Sequence, residues 1–265
     1  MIRRWMIFCE AAADFRTAET LIDEVLRLRC SQWVRDLYEQ NPEFVREWHG
    51  PREGLAWFDI HAIYAIARDL GVRLGYGHFN GRSAKAGARM LDTIVRIRRE
   101  LLRRDGGDHG SDALVVVWDM DKQGDGRRAG LAQAGGDSVL PLDVTLVLGC
   151  PDPNREAWIL AGFVPRDDEL GQLEAARREL GFYPNERPHE LPASDETALR
   201  NTKRVLHEAL GVTTWEREQE CLRIADDIAF QRLSARGSAA GLQAFLSAIE
   251  EKLVPQVDPA AVRRS

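Results

Sequence analysis

Cysteine is scarce in this chain: four residues in 265, at positions 9, 30, 150 and 221, with no CxxC pair among them. That spacing offers neither a disulfide framework nor a cysteine zinc site, so buried free thiols are expected. Long apolar runs are missing too. No segment approaches the ~20 residues of a membrane helix. The apolar stretch of "MIRRWMIFCEAAADF" is too short for a signal peptide and runs straight into charge. A cytoplasmic protein without membrane contact is expected. None of the six histidines stands in an HxH or HExxH spacing, which argues against a zinc hydrolase. No GxxxxGK[ST] occurs, so the sequence carries no nucleotide-hydrolysis loop. Nor is there an excess of positive charge. The net charge of −6 does not announce a nucleic-acid binder, and internal repeats and low-complexity segments are also lacking.

What is present is ordinary globular material, 44% hydrophobic and 29% charged, in a chain long enough for one large α/β domain with a helical appendage. "RRWMIFCE" (3–10) is a short apolar run ending in an acid, and helical periodicity follows to about Arg29, with Asp14 where an N-cap would sit. Residues 31–60, with two prolines and three tryptophans, read as an insertion or short helical subdomain. An edge strand is expected at 73–81, and helices at 61–71 and 83–104. "ALVVVWDMD" (113–121) is the clearest strand: its near-continuous apolar run implies burial on both faces, as in a parallel sheet covered by helices. "DVTLVLGCP" (143–151) is a further strand. From 154 onward the pattern is mostly helix, and the last ten residues, 256–265, read as a loose tail. Strands alternating with helices predict an α/β fold with a mainly parallel sheet flanked by helices, over residues 1–163, and a helical region over 164–255.

Two of the expected strands end in acids, Glu10 after "WMIFC" and Asp119 with Asp121 after "LVVVW". Ligands gather at the carboxyl ends of the strands in an open parallel sheet. Residues i and i+2 of an extended chain point to one side, so Asp119 and Asp121 can face a common point. Crowded carboxylates raise one another's pKa unless a cation sits between them. Hard oxygen ligands of this kind suit Mg²⁺ or Mn²⁺. A DxD alone is shared by several chemistries. Gln123 stands where a haloacid-dehalogenase-type phosphatase wants Thr or Val. As an EF-hand-like loop, the stretch has Gly130 in place of the closing glutamate. A glycosyltransferase metal motif stays open, as do solvated acids that merely end a strand. Charge is locally uneven: "RIRRELLRR" (96–104) holds five arginines against one glutamate. It reads either as a solvated helix face or as a phosphate-binding stripe.

An acid closing the first strand and a DxD closing a later one resemble the Toprim domain of topoisomerases, bacterial primases and nucleases of the OLD and RloB types. "FCEAAADFRTAETLIDEVL" is similar to the opening strand-turn-helix of the RloB-like branch, and "VVVWDMDKQGDG" to its tryptophan-flanked acidic strand end. "CPDPNREAWILAGF" resembles its helix start and offers Asn154, Glu156 and Trp158. "NTKRVL" resembles a late lysine-bearing segment. Ala11 departs from the pattern, standing where a glycine usually lets backbone approach the ligand.

The resemblance implies a Toprim-like, Rossmann-like sheet and metal-dependent hydrolysis of phosphodiester bonds. Asp119 and Asp121 would hold Mg²⁺ or Mn²⁺. Glu10 would bind a second ion or act as general base, and Glu156 would complete the shell. Asp14 and Asp125 are further candidate ligands, beside readings as a cap and a turn residue. Lys85, Arg127, Arg128 and Lys203 are candidate phosphate contacts. Trp118 and Trp158 read as core. The implied partners are nucleic acid, DNA ahead of RNA, and a separate ATPase in a phage-defence complex; a homo-oligomer is allowed. A Toprim-like binding or regulatory subunit without catalysis is the alternative, and phosphotransfer on small substrates a third reading.

Overall fold

The computed structural model describes residues 3–74, 78–79, 82–83, 85, 87–104, 113–120, 124–136 and 144–261. Strand β1 (Arg3–Cys9) leads into helix α1 (Ala12–Arg29), then α2 (Gln32–Gln40), short strands β2 (Arg46–Trp48) and β3 (Phe58–Asp59), and α3 (Ile63–Asp69). A two-stranded antiparallel pair, β4 (His78–Phe79) with β5 (Arg82–Ser83), stands apart from the main sheet. Helix α4 (Ala88–Arg104), β6 (Ala113–Val117), α5 (Gly124–Gly136), β7 (Thr145–Gly149) and α6 (Arg155–Gly162) complete the α/β part. The remainder is helical: α7 (Leu170–Leu180), α8 (Thr202–Arg204) running into a π turn, α9 (Trp215–Leu222), α10 (Asp227–Arg236), α11 (Leu242–Lys252) and α12 (Val254–Val257).

The main sheet is parallel in every pairing, with β6 between β1 and β7, and β1 flanked on its other edge by β2 and then β3. A parallel pair needs a long crossover. Helix α5 makes it between β6 and β7, although glycine-rich "GDGRRAGLAQAGG" carries little apolar periodicity. Side chains alternate across the sheet as the strand period demands. Trp5, Ile7 and Cys9 of β1, with Ala113, Val115 and Val117 of β6, enter one core with α1, α6 and the C-terminal helices. Met6, Phe8, Leu114 and Val116 enter a second core with residues of α3, α4 and α5. Burial on both faces is why β6 reads as an unbroken apolar run. The structure is thus α/β, with a mainly parallel sheet flanked by helices and a helical C-terminal third.

Three expectations need correction. Residues 31–60, read as an insertion or helical subdomain, supply sheet edge: Arg46 to Trp48 pair with Arg3 to Trp5, and Phe58 and Asp59 with Phe8 and Cys9. Phe8 and Phe58 stack with ring centroids 4.5 Å apart. The tail is not loose as far as Ala261. Gln256 accepts from the Arg3 Nε (2.7 Å) and Trp5 Nε1 (3.1 Å) and donates to Thr145 Oγ1 (2.5 Å). Asp258 accepts the Ser31 N–H at 2.7 Å. Third, α1 starts at Ala12, so Asp14 is not the N-cap. It lies in the first turn and reaches back, its Oδ2 accepting the Ala11 N–H at 2.9 Å. Among the described residues no helix is long and apolar enough to cross a membrane.

Candidate functional site

The parallel strands deliver their carboxyl ends to one edge of the sheet, and four of the five have an acid at or shortly after that end. Glu10 follows β1, Asp59 ends β3 in register with Cys9, Asp119 follows β6, and Asp152 follows β7. Ladder geometry continues past β6: Trp118 N–H bonds the Gly149 carbonyl and Met120 N–H the Pro151 carbonyl, both at 2.9 Å. Trp118 and Met120 are therefore core residues of one face, and Asp119 points to the other. Asp121 lies outside the described residues, as does the side chain of Asp125. The backbone of Asp125 is helical, in α5 and not in a turn.

Helix α5 brings Arg127 to this edge. Its Nη1 donates to the Asp119 carbonyl at 2.5 Å and lies 3.9 Å from Glu10 Oε1, and its guanidinium covers the Trp118 ring at 4.6 Å. His61 Nε2 approaches the same Glu10 oxygen at 3.9 Å, and the His61 backbone N–H is held by Asp59 Oδ1 at 2.7 Å. Asp59 and His61 escaped the sequence reading because β3 is two residues long. The signal that could have found them is "WFDIH", an apolar pair running into an acid.

Behind Glu10 lies a buried group of charges. Asp14, Arg155, Glu156 and Glu218 are each at least nine-tenths buried. The Arg155 guanidinium donates to both Glu218 oxygens (2.8 and 3.2 Å) and to Thr17 Oγ1 (3.1 Å), which ties α6 to α9 and α1. Its Nε lies 3.5 Å from Glu156 Oε1 and 3.9 Å from Asp14 Oδ1. Burial pushes the Asp14 carboxyl up to about 6, the Ala11 N–H and Arg155 oppose that, and the Glu10 and Glu156 charges add to it. Glu156 sits in the first turn of α6, where negative charge is favoured. Its Oε2 is buried without a hydrogen-bond partner.

The donor types fit Mg²⁺ or Mn²⁺: hard carboxylate oxygens, one of them a buried orphan that a cation would satisfy. Among the described residues, no three of His, Cys, Asp and Glu group closely enough to hold a metal ion. The shell expected from the sequence includes Asp121, outside that set.

The candidate phosphate contacts separate. Arg127 and Lys203 line one cleft of about 550 Å³, together with Asn154 and Ser194. Arg128 turns to Asp152, bonding its Oδ2 at 3.0 Å. Lys85 is exposed against α5, its backbone N–H on Gln133 Oε1 (3.1 Å), and does not line the cleft. The arginine stripe of α4 is largely paired within its own helix. Asp92 takes Arg96, and Glu100 takes Arg103 and Arg104. Trp158 is core, stacked on Phe245 and bonded to the Ala240 carbonyl at 2.7 Å.

No family model matches the chain, and neither a curated protein nor a solved structure does.

Proposed function

We propose that this chain is a metal-dependent nuclease, hydrolysing phosphodiester bonds with Mg²⁺ or Mn²⁺ at the carboxyl edge of its sheet. The observation that carries the reading is the placing of Glu10, Asp59 and Asp119 at the ends of strands on one edge of the sheet, beside a cleft lined by Arg127 and Lys203. Glu10, Asp119 and Asp121 would hold the metal, with Glu156 behind them. A divalent ion held there would supply polarisation of the phosphate and stabilisation of the leaving oxygen. Glu10 would either bind a second ion or act as general base on the attacking water. Arg127 and Lys203 are cations for substrate phosphate oxygens. The substrate is nucleic acid, with DNA ahead of RNA. A separate ATPase would supply the nucleotide-hydrolysis loop this sequence lacks, in a complex acting against phage.

One observation favours the second reading, a Toprim-like binding or regulatory subunit without catalysis. The Arg127 and Arg155 guanidinium groups already stand among the acids and offset part of their charge. Cleavage of plasmid DNA, single-stranded DNA and tRNA in Mg²⁺, Mn²⁺ or EDTA separates the two. The control is the Asp119→Ala/Asp121→Ala double variant. Metal-dependent cutting that the double variant loses is the expected result. No cutting, with no calorimetric Mn²⁺ binding, would reject the nuclease in favour of the binding subunit.

A further inference from the structure

The nuclease reading uses the two cations of the cleft beside the acids but not its size. It lies between the β7–α6 turn and the loop before α8, about 550 Å³ in volume. That is the range of sites that take one small-molecule-sized unit, ~300–1,000 Å³. A duplex, whose major groove alone is about 12 Å wide, has to stay outside. Two acids border it. Asp152 is bonded to Arg128, which leaves Glu196 set against the two cations Arg127 and Lys203. The remaining polar lining includes the Asn154 amide, whose oxygen is taken by Thr202 Oγ1 at 2.8 Å, and Ser194. Arg127 is common to cleft and acids, since its Nη1 is fixed on the Asp119 carbonyl. Arg127 and Lys203 are the lining groups suited to a phosphate; among the described residues no aromatic ring lines the cleft.

We propose that this cleft is a one-nucleotide subsite for single-stranded nucleic acid. It would hold the phosphate next to the bond at the acids and admit a single strand or frayed end in preference to an intact duplex. For the chemistry at the acids this rests on the nuclease reading; for binding it does not.

The test is fluorescence anisotropy in EDTA with labelled octathymidylate, octauridylate and an eight-base-pair duplex. Each is titrated with the wild-type chain, Lys203→Glu and Ser194→Trp. Lys203 and Ser194 are exposed, so neither substitution disturbs a core. The expected result is single-strand binding at least tenfold tighter than duplex binding. Lys203→Glu should weaken it about tenfold and flatten the salt dependence by the ~0.7 of one single-strand phosphate contact. Ser194→Trp should block it. The two oligomers distinguish DNA from RNA as the source of the strand. Equal binding of duplex and single strand, or indifference to both cleft substitutions, would overturn the proposal even if the protein cuts DNA. Cleft-dependent binding by a protein that neither cuts nor binds Mn²⁺ would uphold it while removing the nuclease reading.

Discussion

Asp14 and Arg155 show how single residues set the behaviour of the buried charge group. The Asp14 carboxyl is raised from 3.8 to about 6, chiefly by burial. A carboxyl whose folded pKa exceeds its unfolded value binds its proton more tightly in the folded chain. Its contribution is therefore fully present below about pH 4 and lost as pH rises through about 6. Asp14→Asn keeps an oxygen for the Ala11 N–H and removes the titration. In EDTA, urea denaturation between pH 4 and 7.5 should show the wild type losing ~2–3 kcal/mol relative to the variant. Parallel curves would refute the coupling. Arg155 is the countercharge: Arg155→Ala leaves the Glu218, Glu156 and Asp14 carboxylates buried without their cation. The cost should be about 3–5 kcal/mol, read as a lower urea midpoint at unchanged slope. Glu10 and Asp119 could be found in the sequence because an apolar run ending in an acid marks a strand end. Arg155 could not, since an arginine opening a helix looks like any solvated side chain until α9 brings Glu218 against it.

At the scale of elements, legibility followed length and periodicity. β6 and β7 announced themselves by apolar runs and α1 by its repeating apolar side. Strands of two and three residues, such as β3 and β2, are too short for any period, so the stretch holding them read as an insertion. Helix α5 was missed for a different reason. Its small residues carry no amphipathic pattern, and only the crossover demanded by parallel β6 and β7 argues for it. Yet α5 positions Arg127, and its seat depends on one residue at the head of α4. Gly87 has φ +88°, and a Cβ there would stand 2.7 Å from the Arg127 carbonyl oxygen. Gly87→Ala is thus strained in its own backbone and pushes on the turn that holds Arg127. It should lower stability by roughly 1–3 kcal/mol and impair cleavage and single-strand binding together. Loss of stability with both functions intact would show that Arg127 does not need this seat.

For the molecule as a whole, the question is whether the helical C-terminal third is an appendage or part of the fold. One core runs through both. Trp5 and Ile7 of β1, Val147 of β7 and Trp158 of α6 share it with Leu222 of α9, Leu233 of α10 and Phe245 and Leu246 of α11. Packing is close enough that a Cβ at Gly162 of α6 would fall 1.9 Å from the Cys221 carbonyl oxygen of α9. Polar ties cross the same boundary. Arg155 bonds Glu218, Trp158 bonds the Ala240 carbonyl, and Gln256 joins Trp5 and Thr145. A boundary near residue 163 is what the change from alternating strands and helices to helix alone suggests, but a cut there would leave Trp158 and much of one sheet face without cover. Burial at about 25 cal/mol per Å² dominates the stability of a fold with a margin of only ~5–15 kcal/mol. The full chain should therefore unfold in one transition, with near- and far-ultraviolet circular dichroism superimposable in urea. A chain ending at residue 163 should lack a near-ultraviolet signal and bind a hydrophobic dye. A truncated chain that keeps native near-ultraviolet dichroism would prove that the helices are an appendage. In that case the charge group around Arg155, which needs Glu218 from α9, would be an interface between two units and not an interior part of one.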